Sequence, residues 1–586
     1  MKKGIKEKLT RLLVYFKRHK KLLIGGIIVT ILSNAIAMVS PWIVKIAIDE
    51  LKTNQATHTD LQRYAIIVVI LAVAAGFFRY FMRRTIIWGS RLFEYEVRND
   101  FFEHLLKLPR SFYQEIPTGD IIARGSNDIE AIRLLAGPAV MQMLNSAVSM
   151  SVALTLMFIL SWKLSLIVVV SFPILSLMIN RMGMTIHRKF YLIQNHFSKM
   201  TSFVQENISG AKVIKAYNQQ DNQITDFSEL NKTYIDLNLS LARTRGLFLP
   251  SIFAIVGAII LVLIYFGGGQ VIAGSISLGT LVAFLFYLMN LIWPMLAVGW
   301  VVSLYQRGTA SLDRIEKIME RKSEVADQGD PAEIKNPTGN IKISDLSFTY
   351  PNDKTNILKN INLEIPAGST MAIVGPTGCG KTTLVNLILR TFKIPDNKIS
   401  LDGQDINKIR LANLRKSIGY VTQETFLFSD KLSENIAFGT EKTDSKKIEE
   451  ASEIAAIKDE INDFPHGFET IIGERGVTLS GGQKQRTSLA RAILNNPPVL
   501  ILDDAFSAVD TDTEEKILNR LKNVLDTRTS IIISHRISTV KNADLICVME
   551  NGQIAASGTH DSLLKDSELY AKIVELQTLQ EKLEGS

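Results

Sequence analysis

Residues Gly375-Pro376-Thr377-Gly378-Cys379-Gly380-Lys381-Thr382-Thr383 follow an apolar run, Met371-Ala372-Ile373-Val374, and precede an apolar-periodic segment, Leu384-Val385-Asn386-Leu387-Ile388-Leu389. Strand, glycine-rich turn and helix in that order are the setting in which a G-x-x-x-x-G-K-[ST] pattern holds phosphate. Gly375, Gly378 and Gly380 let the backbone fold close enough for its N–H groups to cradle phosphate oxygens. The helix that follows points its positive dipole end at the same anion. Lys381 is placed to reach the β- and γ-phosphates, and the Thr382 hydroxyl to ligate Mg²⁺. A chance match in a loop would lack the flanking strand and helix.

Working outward, Ile341 to Thr349 reads as a strand ending in Tyr350-Pro351. Asp402-Gly403 is a hairpin turn signal. Ile418 to Gln423 reads as a strand finishing on a glutamine. The run Gly473-Glu474-Arg475-Gly476-Val477-Thr478-Leu479-Ser480-Gly481-Gly482-Gln483-Lys484-Gln485-Arg486 leads into an apolar-periodic helix, a second N-terminus suited to anions. Val499-Leu500-Ile501-Leu502 is a near-continuous apolar run, as in a strand buried on both faces, and it ends in Asp503-Asp504. Those carboxylates can hold Mg²⁺ or orient water. Another buried strand, Ser530 to Ser534, delivers His535.

A chain of 586 residues is too long for one core. Its hydrophobic fraction of 47% is ordinary, so the distribution carries the information: long apolar runs lie before about residue 310. The net charge of +8 clusters beside those runs, which fits a membrane surface and argues against nucleic acid. The 2 cysteines, Cys379 and Cys547, exclude a disulfide framework and a Cys-based metal site. No cleavable signal peptide is expected, because the first apolar run, from Leu22, is too long and lacks a cleavage site.

Six segments suit a bilayer core of roughly 30 Å: residues 22–46, 63–84, 138–160, 163–182, 248–273 and 279–304. Ser161-Trp162-Lys163 makes the third and fourth a tight hairpin. Lys2, Lys3, Lys6, Lys8, Arg11, Lys17, Arg18, Lys20 and Lys21, with the basic second and fourth connections, place both termini in the cytoplasm. Those two connections, about 55 and about 65 residues long, are too long for idle loops. They read as helical over Leu92–Leu108, Ile129–Leu135, Tyr191–Val213 and Ile224–Leu241, turning at Ile116-Pro117-Thr118-Gly119 and Ile208-Ser209-Gly210. Helical levers reaching toward a soluble domain account for them. Within the spans, Lys45 and Arg79 are expected to snorkel from near the ends. Asn34 and Asn290 are expected to bond between helices. Phe286, Met289, Asn290, Trp293 and Pro294 form a cluster that could line a cavity or face lipid.

Leu479-Ser480-Gly481-Gly482-Gln483, between a P-loop and a buried strand ending in Asp, resembles the signature of ATP-binding cassette (ABC) proteins. Six spans fused ahead of one cassette resemble the exporter-type half-transporters. The resemblance covers essentially the whole chain. It implies an all-α transmembrane domain (1–315), a linker (316–340) and an α/β nucleotide-binding domain (341–586). It further implies that Tyr350 stacks on adenine and that Gly375, Pro376, Thr377, Gly378, Cys379, Gly380, Lys381, Thr382 and Thr383 hold the phosphates of ATP. Gln423 would touch Mg²⁺ and the attacking water, with Thr382 and Asp503 as further Mg²⁺ ligands. Ser480, Gly481, Gly482 and Gln483 would serve nucleotide on a second subunit's P-loop. Asp510 would cross the dimer interface, His535 would contact the γ-phosphate, and the turns at 116–119 and 208–210 would be coupling helices. One cassette per chain implies half of a dimer.

Two departures bear on mechanism. Active members of the family carry Glu, the base that polarises water, where this chain has Asp504, one methylene shorter. The shortfall of roughly 1 Å can cost on the order of 100-fold in rate. An intact signature beside a weakened base is the pattern of a heterodimer whose partner has Glu at that position, favoured here over a homodimer. Ile471 stands where many exporters have Glu, which puts that contact with the coupling helix in doubt. The expected activity is ATP-driven export of hydrophobic or amphipathic compounds, drugs or lipids, across a bacterial plasma membrane. The rivals are a homodimeric lipid or peptide exporter and an ATP-gated channel or regulator. No nucleic acid partner is expected.

Overall fold

The computed structural model describes residues 18, 20–53, 57–327, 329, 331–351, 353, 355–440, 444–473 and 477–584, with side chains through 579. Lys2, Lys3, Lys6, Lys8, Arg11 and Lys17, used above for orientation, lie outside the described residues, as does Glu474-Arg475-Gly476. The chain divides into two compact units, residues 1–106 with 118–321, and residues 107–117 with 322–586.

The first unit is helical. Among the described residues, six helices are long and apolar enough to cross a membrane: α1 (Lys20–Lys52), α2 (His58–Lys107), a third from Thr118 to Leu160, α7 (Trp162–Ser209), α9 (Gln220–Ile272) and α10 (Leu278–Met319). Between α2 and the third long helix the chain forms α3 (Arg110–Glu115), which belongs to the second unit. The third long helix comprises α4 (Thr118–Ala123), α5 (Ile129–Leu134) and α6 (Val140–Leu160), joined by π-bulges at Arg124–Asp128 and Leu135–Ala139. Pro138 removes a backbone donor inside the second bulge. Ser161 alone separates α6 from α7, and its hydroxyl caps α7, giving the tight hairpin. At 48 to 53 residues, α2, α7 and α9 extend roughly 72–80 Å, far beyond a bilayer core.

Packing in this unit is close rather than merely apolar. A Cβ on Gly279 would lie 2.2 Å from the Lys45 carbonyl, and one on Gly137 2.4 Å from Ser90 Cβ. Buried Tyr287 donates to the Met38 carbonyl at 3.0 Å among Phe284, Leu291, Met157 and Leu164. Asn34 bonds across helices as expected, donating to Asn145 at 3.0 Å and accepting from Ser149. Asn290 does not: its amide donates to Phe286 one turn back on its own helix, at 3.1 Å. Beyond the spans, ion pairs hold the helices. Arg314 and Ser311 grip Asp128, outweighing the opposing effect of burial and keeping its carboxyl below the usual range. Glu94 gathers Arg91, Arg98 and Arg133.

The first excursion turns at Ile116-Pro117, and Thr118-Gly119 already begin a helix. The second reversal is broader than the expected 208–210. Gly210 interrupts the helix, α8 (Ala211–Ala216) makes one more turn, and Tyr217 to Gln219 complete the reversal.

In the second unit, β1 (Ile341–Phe348), β2 (Leu358–Ile365), β4 (Ile399–Leu401) and β5 (Gln404–Asp405) form an antiparallel sheet ordered β2-β1-β4-β5. Asp402 and Gly403 both take positive φ (51° and 77°), which the two-residue hairpin requires. A six-stranded sheet is ordered β10-β9-β3-β8-β7-β6, from β3 (Thr370–Val374), β6 (Ile418–Val421), β7 (Val499–Asp503), β8 (Thr529–Ile533), β9 (Leu545–Glu550) and β10 (Gln553–Gly558). Strands β9, β3, β8, β7 and β6 run parallel, with β10 antiparallel at the edge. Every residue of β7 and β8 is buried, which explains the apolar runs at 499–502 and 531–533. Cys547 sits fully buried in β9, and burial pushes its thiol up to about 12. The long α16 (Gly481–Leu494) packs with the helical residues 432–463 into a second core.

Candidate nucleotide site

Parallel order dictates where the chemistry collects. Ligands of open α/β sheets bind outside the carboxyl ends of the strands, and Gly375, Gln423, Asp504 and His535 all lie just beyond the carboxyl ends of β3, β6, β7 and β8. The turn after β3 feeds α11 (Lys381–Ile388) through three glycines at positive φ. A Cβ on Gly375 would lie 2.2 Å from the Met549 carbonyl, so no other residue fits there. Gly375→Ala is expected to displace the turn, abolishing the thermal stabilisation that ATP confers on the unmutated protein. Thermal unfolding with and without ATP checks this; a shift equal to that of the unmutated protein would contradict it.

Lys381 is buried and its ammonium donates to the carbonyls of Gly375 and Pro376 at 2.8 and 3.0 Å, curling the turn into a closed loop. The Thr382 hydroxyl donates to Asp503 Oδ1 at 3.2 Å. Asp503 is 1% exposed, and that burial raises its carboxyl, with nearby Asp504 adding repulsion against the bonds from Thr382 and Tyr420. A hydroxyl and a buried carboxylate beside a phosphate cradle are a donor set that fits Mg²⁺. Tyr350 packs edge-on against Phe348 and Phe392 and shares a 2.9 Å hydrogen bond with the Thr383 hydroxyl, so its ring borders the P-loop helix. Pro376, Thr377, Gly378 and Cys379 complete the turn between β3 and α11.

Other candidates share the edge of the sheet without touching this group. Gln423 and His535 are exposed. Asp504 is half-buried at φ 52°, a left-handed conformation that Asp tolerates better than most residues. Ser480 and Gln483 form a reciprocal capping box at the start of α16, whose bonds do not use the first N–H groups of that helix, at Gly481 and Gly482. Asp510 caps α17 (Thr511–Leu525), and its bond from Thr513 lowers its carboxyl.

Three residues escaped sequence reasoning. Gln485 donates to the Ser507 hydroxyl at 2.8 Å and to the Asp504 carbonyl, and accepts from Ala508 N–H at 2.9 Å, tying the signature helix to the segment after β7. Glu514, 2% exposed, pairs with Arg536 and accepts from Thr539, fixing the segment that carries His535. Arg110, on α3, donates to Asn386 Oδ1 at 3.0 Å, and Asn386 donates to the Thr382 carbonyl at 2.8 Å. Apart from the local Asn386–Thr382 bond, each pairing spans 19 or more residues of sequence, which local periodicity does not register.

Comparison with known proteins agrees with this geometry. The ABC transporter transmembrane region family matches residues 23–295, and the ABC transporter family matches residues 358–507. The chain is 37% identical over 572 residues to the "Probable multidrug resistance ABC transporter ATP-binding/permease protein YheI" of Bacillus subtilis, covering 97% of this chain and 98% of that one. It is 34% identical to the "Multidrug resistance-like ATP-binding protein MdlA" of Escherichia coli, over 98% of this chain and 97% of that one. It is 32% identical to the "ATP-dependent lipid A-core flippase" of Syntrophus aciditrophicus, over 98% and 95%. The chain therefore belongs to the ABC transporters, as an exporter-type half-transporter that joins a multi-pass membrane domain to an ATP-binding domain and couples ATPase activity to transport.

Proposed function

We propose that this chain, with domains at 1–315 and 341–586 and both termini cytoplasmic, is one half of a heterodimeric exporter of hydrophobic or amphipathic compounds in a bacterial plasma membrane. The observation that carries the heterodimer is Asp504 beside an intact Ser480-Gly481-Gly482-Gln483 signature. In this reading the turn from Gly375 to Thr383 holds the phosphates of ATP, Lys381 exchanges its own loop carbonyls for phosphate oxygens, and Tyr350 stacks on adenine. Thr382 and Asp503, with Gln423, hold Mg²⁺, which when bound offsets phosphate charge. Asp504 orients water but reaches it poorly, and His535 bonds the γ-phosphate. The N–H groups of Gly481 and Gly482 face the partner's nucleotide, across an interface that Asp510 joins. The multidrug and flippase names of the relatives support an amphipathic load.

The closed state must bind nucleotide more tightly than the open one for the cycle to run. Arg110, Asn386 and the Thr382 carbonyl offer a direct line between the first cytoplasmic turn and the P-loop. Arg110→Ala is expected to cut the stimulation of ATPase by transported substrate severalfold while ATP affinity stays near that of the unmutated dimer. A parallel loss of affinity would show that Arg110 only supports the fold. The dimer itself is tested by purification. Expressed alone, the chain should give little ATPase; co-purified with a half-transporter carrying Glu at the position of Asp504, it should give brisk turnover. A brisk homodimer would overturn the heterodimer.

A further inference from the structure

The membrane-spanning unit contains a cavity of about 330 Å³ between α1, α2 and α10, at the lower end of the range for small-molecule sites. Pro41, Leu71 and Phe286 supply apolar wall, Ser40 and Asn290 supply polar groups, and Arg79 is the one charged side chain of its lining among the described residues. Of the span-six cluster, then, only Phe286 and Asn290 reach it; Met289 and Trp293 are exposed elsewhere and Pro294 is buried.

Arg79 is exposed, near the end of its expected span, and also lines this cavity. It shares that cavity with Ala37 and Asn290. Asn290 lies twelve residues beyond Leu278, or about 18 Å along α10, well inside a hydrocarbon core. Helical side chains lean toward the N-terminus of their helix, which for inward-running α2 is toward the bilayer interior. Lys45 has Asp49 at 3.0 Å, whereas no carboxylate among the described residues pairs with Arg79. An exposed cation without a carboxylate partner beside an apolar cavity is placed to meet an acidic group, and a planar guanidinium grips carboxylate or phosphate with two parallel bonds.

We propose that this cavity selects amphipathic organic anions, the acidic head on Arg79 and the apolar body against Phe286, Leu71 and Pro41. The inference rests on the export reading and names its substrate class.

The test uses the full dimer in inside-out proteoliposomes with four fluorescent probes: a dansyl-labelled medium-chain carboxylate, its neutral amide, and labelled phosphatidylglycerol and phosphatidylcholine. The unmutated protein should move the carboxylate about tenfold faster than the amide, the scale of one bond to a charged group. Arg79→Gln should erase that ratio and Arg79→Lys should keep part of it. A preference confined to phosphatidylglycerol over phosphatidylcholine, lost in Arg79→Gln, would support the same site with a lipid head as its source. Equal rates for acid and amide in the unmutated protein, or an unchanged ratio in Arg79→Gln, would overturn the inference while leaving export intact. ATP-dependent movement of none of the four would instead sink the export reading, and this inference with it.

Discussion

Replacing Asp504 with glutamate is expected to raise ATP turnover at this P-loop by about 100-fold, the rate that a misplacement of roughly 1 Å can cost. The added methylene extends the carboxylate toward the water it must activate, and a base out of reach of its proton does nothing whatever its basicity. The backbone opposes this: residue 504 sits at φ 52°, which glutamate accepts less readily than aspartate. Its scale decides the outcome. A strained left-handed residue costs on the order of 1–3 kcal/mol of stability, whereas 100-fold in rate is about 2.7 kcal/mol of barrier. The strain weighs on folded ground state and transition state alike, so it lowers melting temperature and leaves the rate gain in place. Single-turnover hydrolysis by the dimer, with the partner's P-loop lysine replaced so that only this site reports, measures the change. An unchanged rate would mean that Asp504 already reaches, and would remove the main reason for expecting an asymmetric dimer.

Lys381→Ala should weaken ATP at this P-loop by at least about 100-fold. The lysine is held at the loop by two carbonyl bonds of 2.8 and 3.0 Å. Bonds from an ammonium to phosphate oxygens contribute about 1.5–3 kcal/mol each, and two of them correspond to about two decades or more in affinity. The substitution also strips a buried cation from beside Asp503, which burial already biases toward protonation. Photolabelling of the dimer with an azido-ATP analogue, resolved by subunit, reads occupancy at this site separately from its partner. Equal labelling of the variant and the unmutated chain would contradict the assignment.

The sequence made the P-loop legible because strand, turn and helix are contiguous, so their chemistry is written within 20 residues. Spans were legible for a similar reason: a bilayer imposes length and apolarity on each helix by itself. What hydropathy specifies is depth along a helix, not which way a residue faces. Asn290 was therefore placed at a sensible depth and given the wrong neighbour, while Asn34, which sits on a helix face packed against α6, met its partners as expected. Gln485, Glu514 and Arg110 lay beyond sequence reasoning because each depends on register between elements that only the folded sheet brings together. The second cytoplasmic reversal was read too short because Ile208-Ser209-Gly210 was taken as the whole turn, whereas α8 continues the helix for six residues past it.

Nucleotide at the cassette should drive the bundle to move its load uphill, and uptake into inside-out vesicles measures this. With a labelled amphiphile present at equal concentration on both sides, the dimer of this chain and its partner should accumulate it inside when ATP is added, and lose that gradient when ATP is exhausted. Equilibration without accumulation, at any ATP concentration, would make the protein a gated channel and contradict the account.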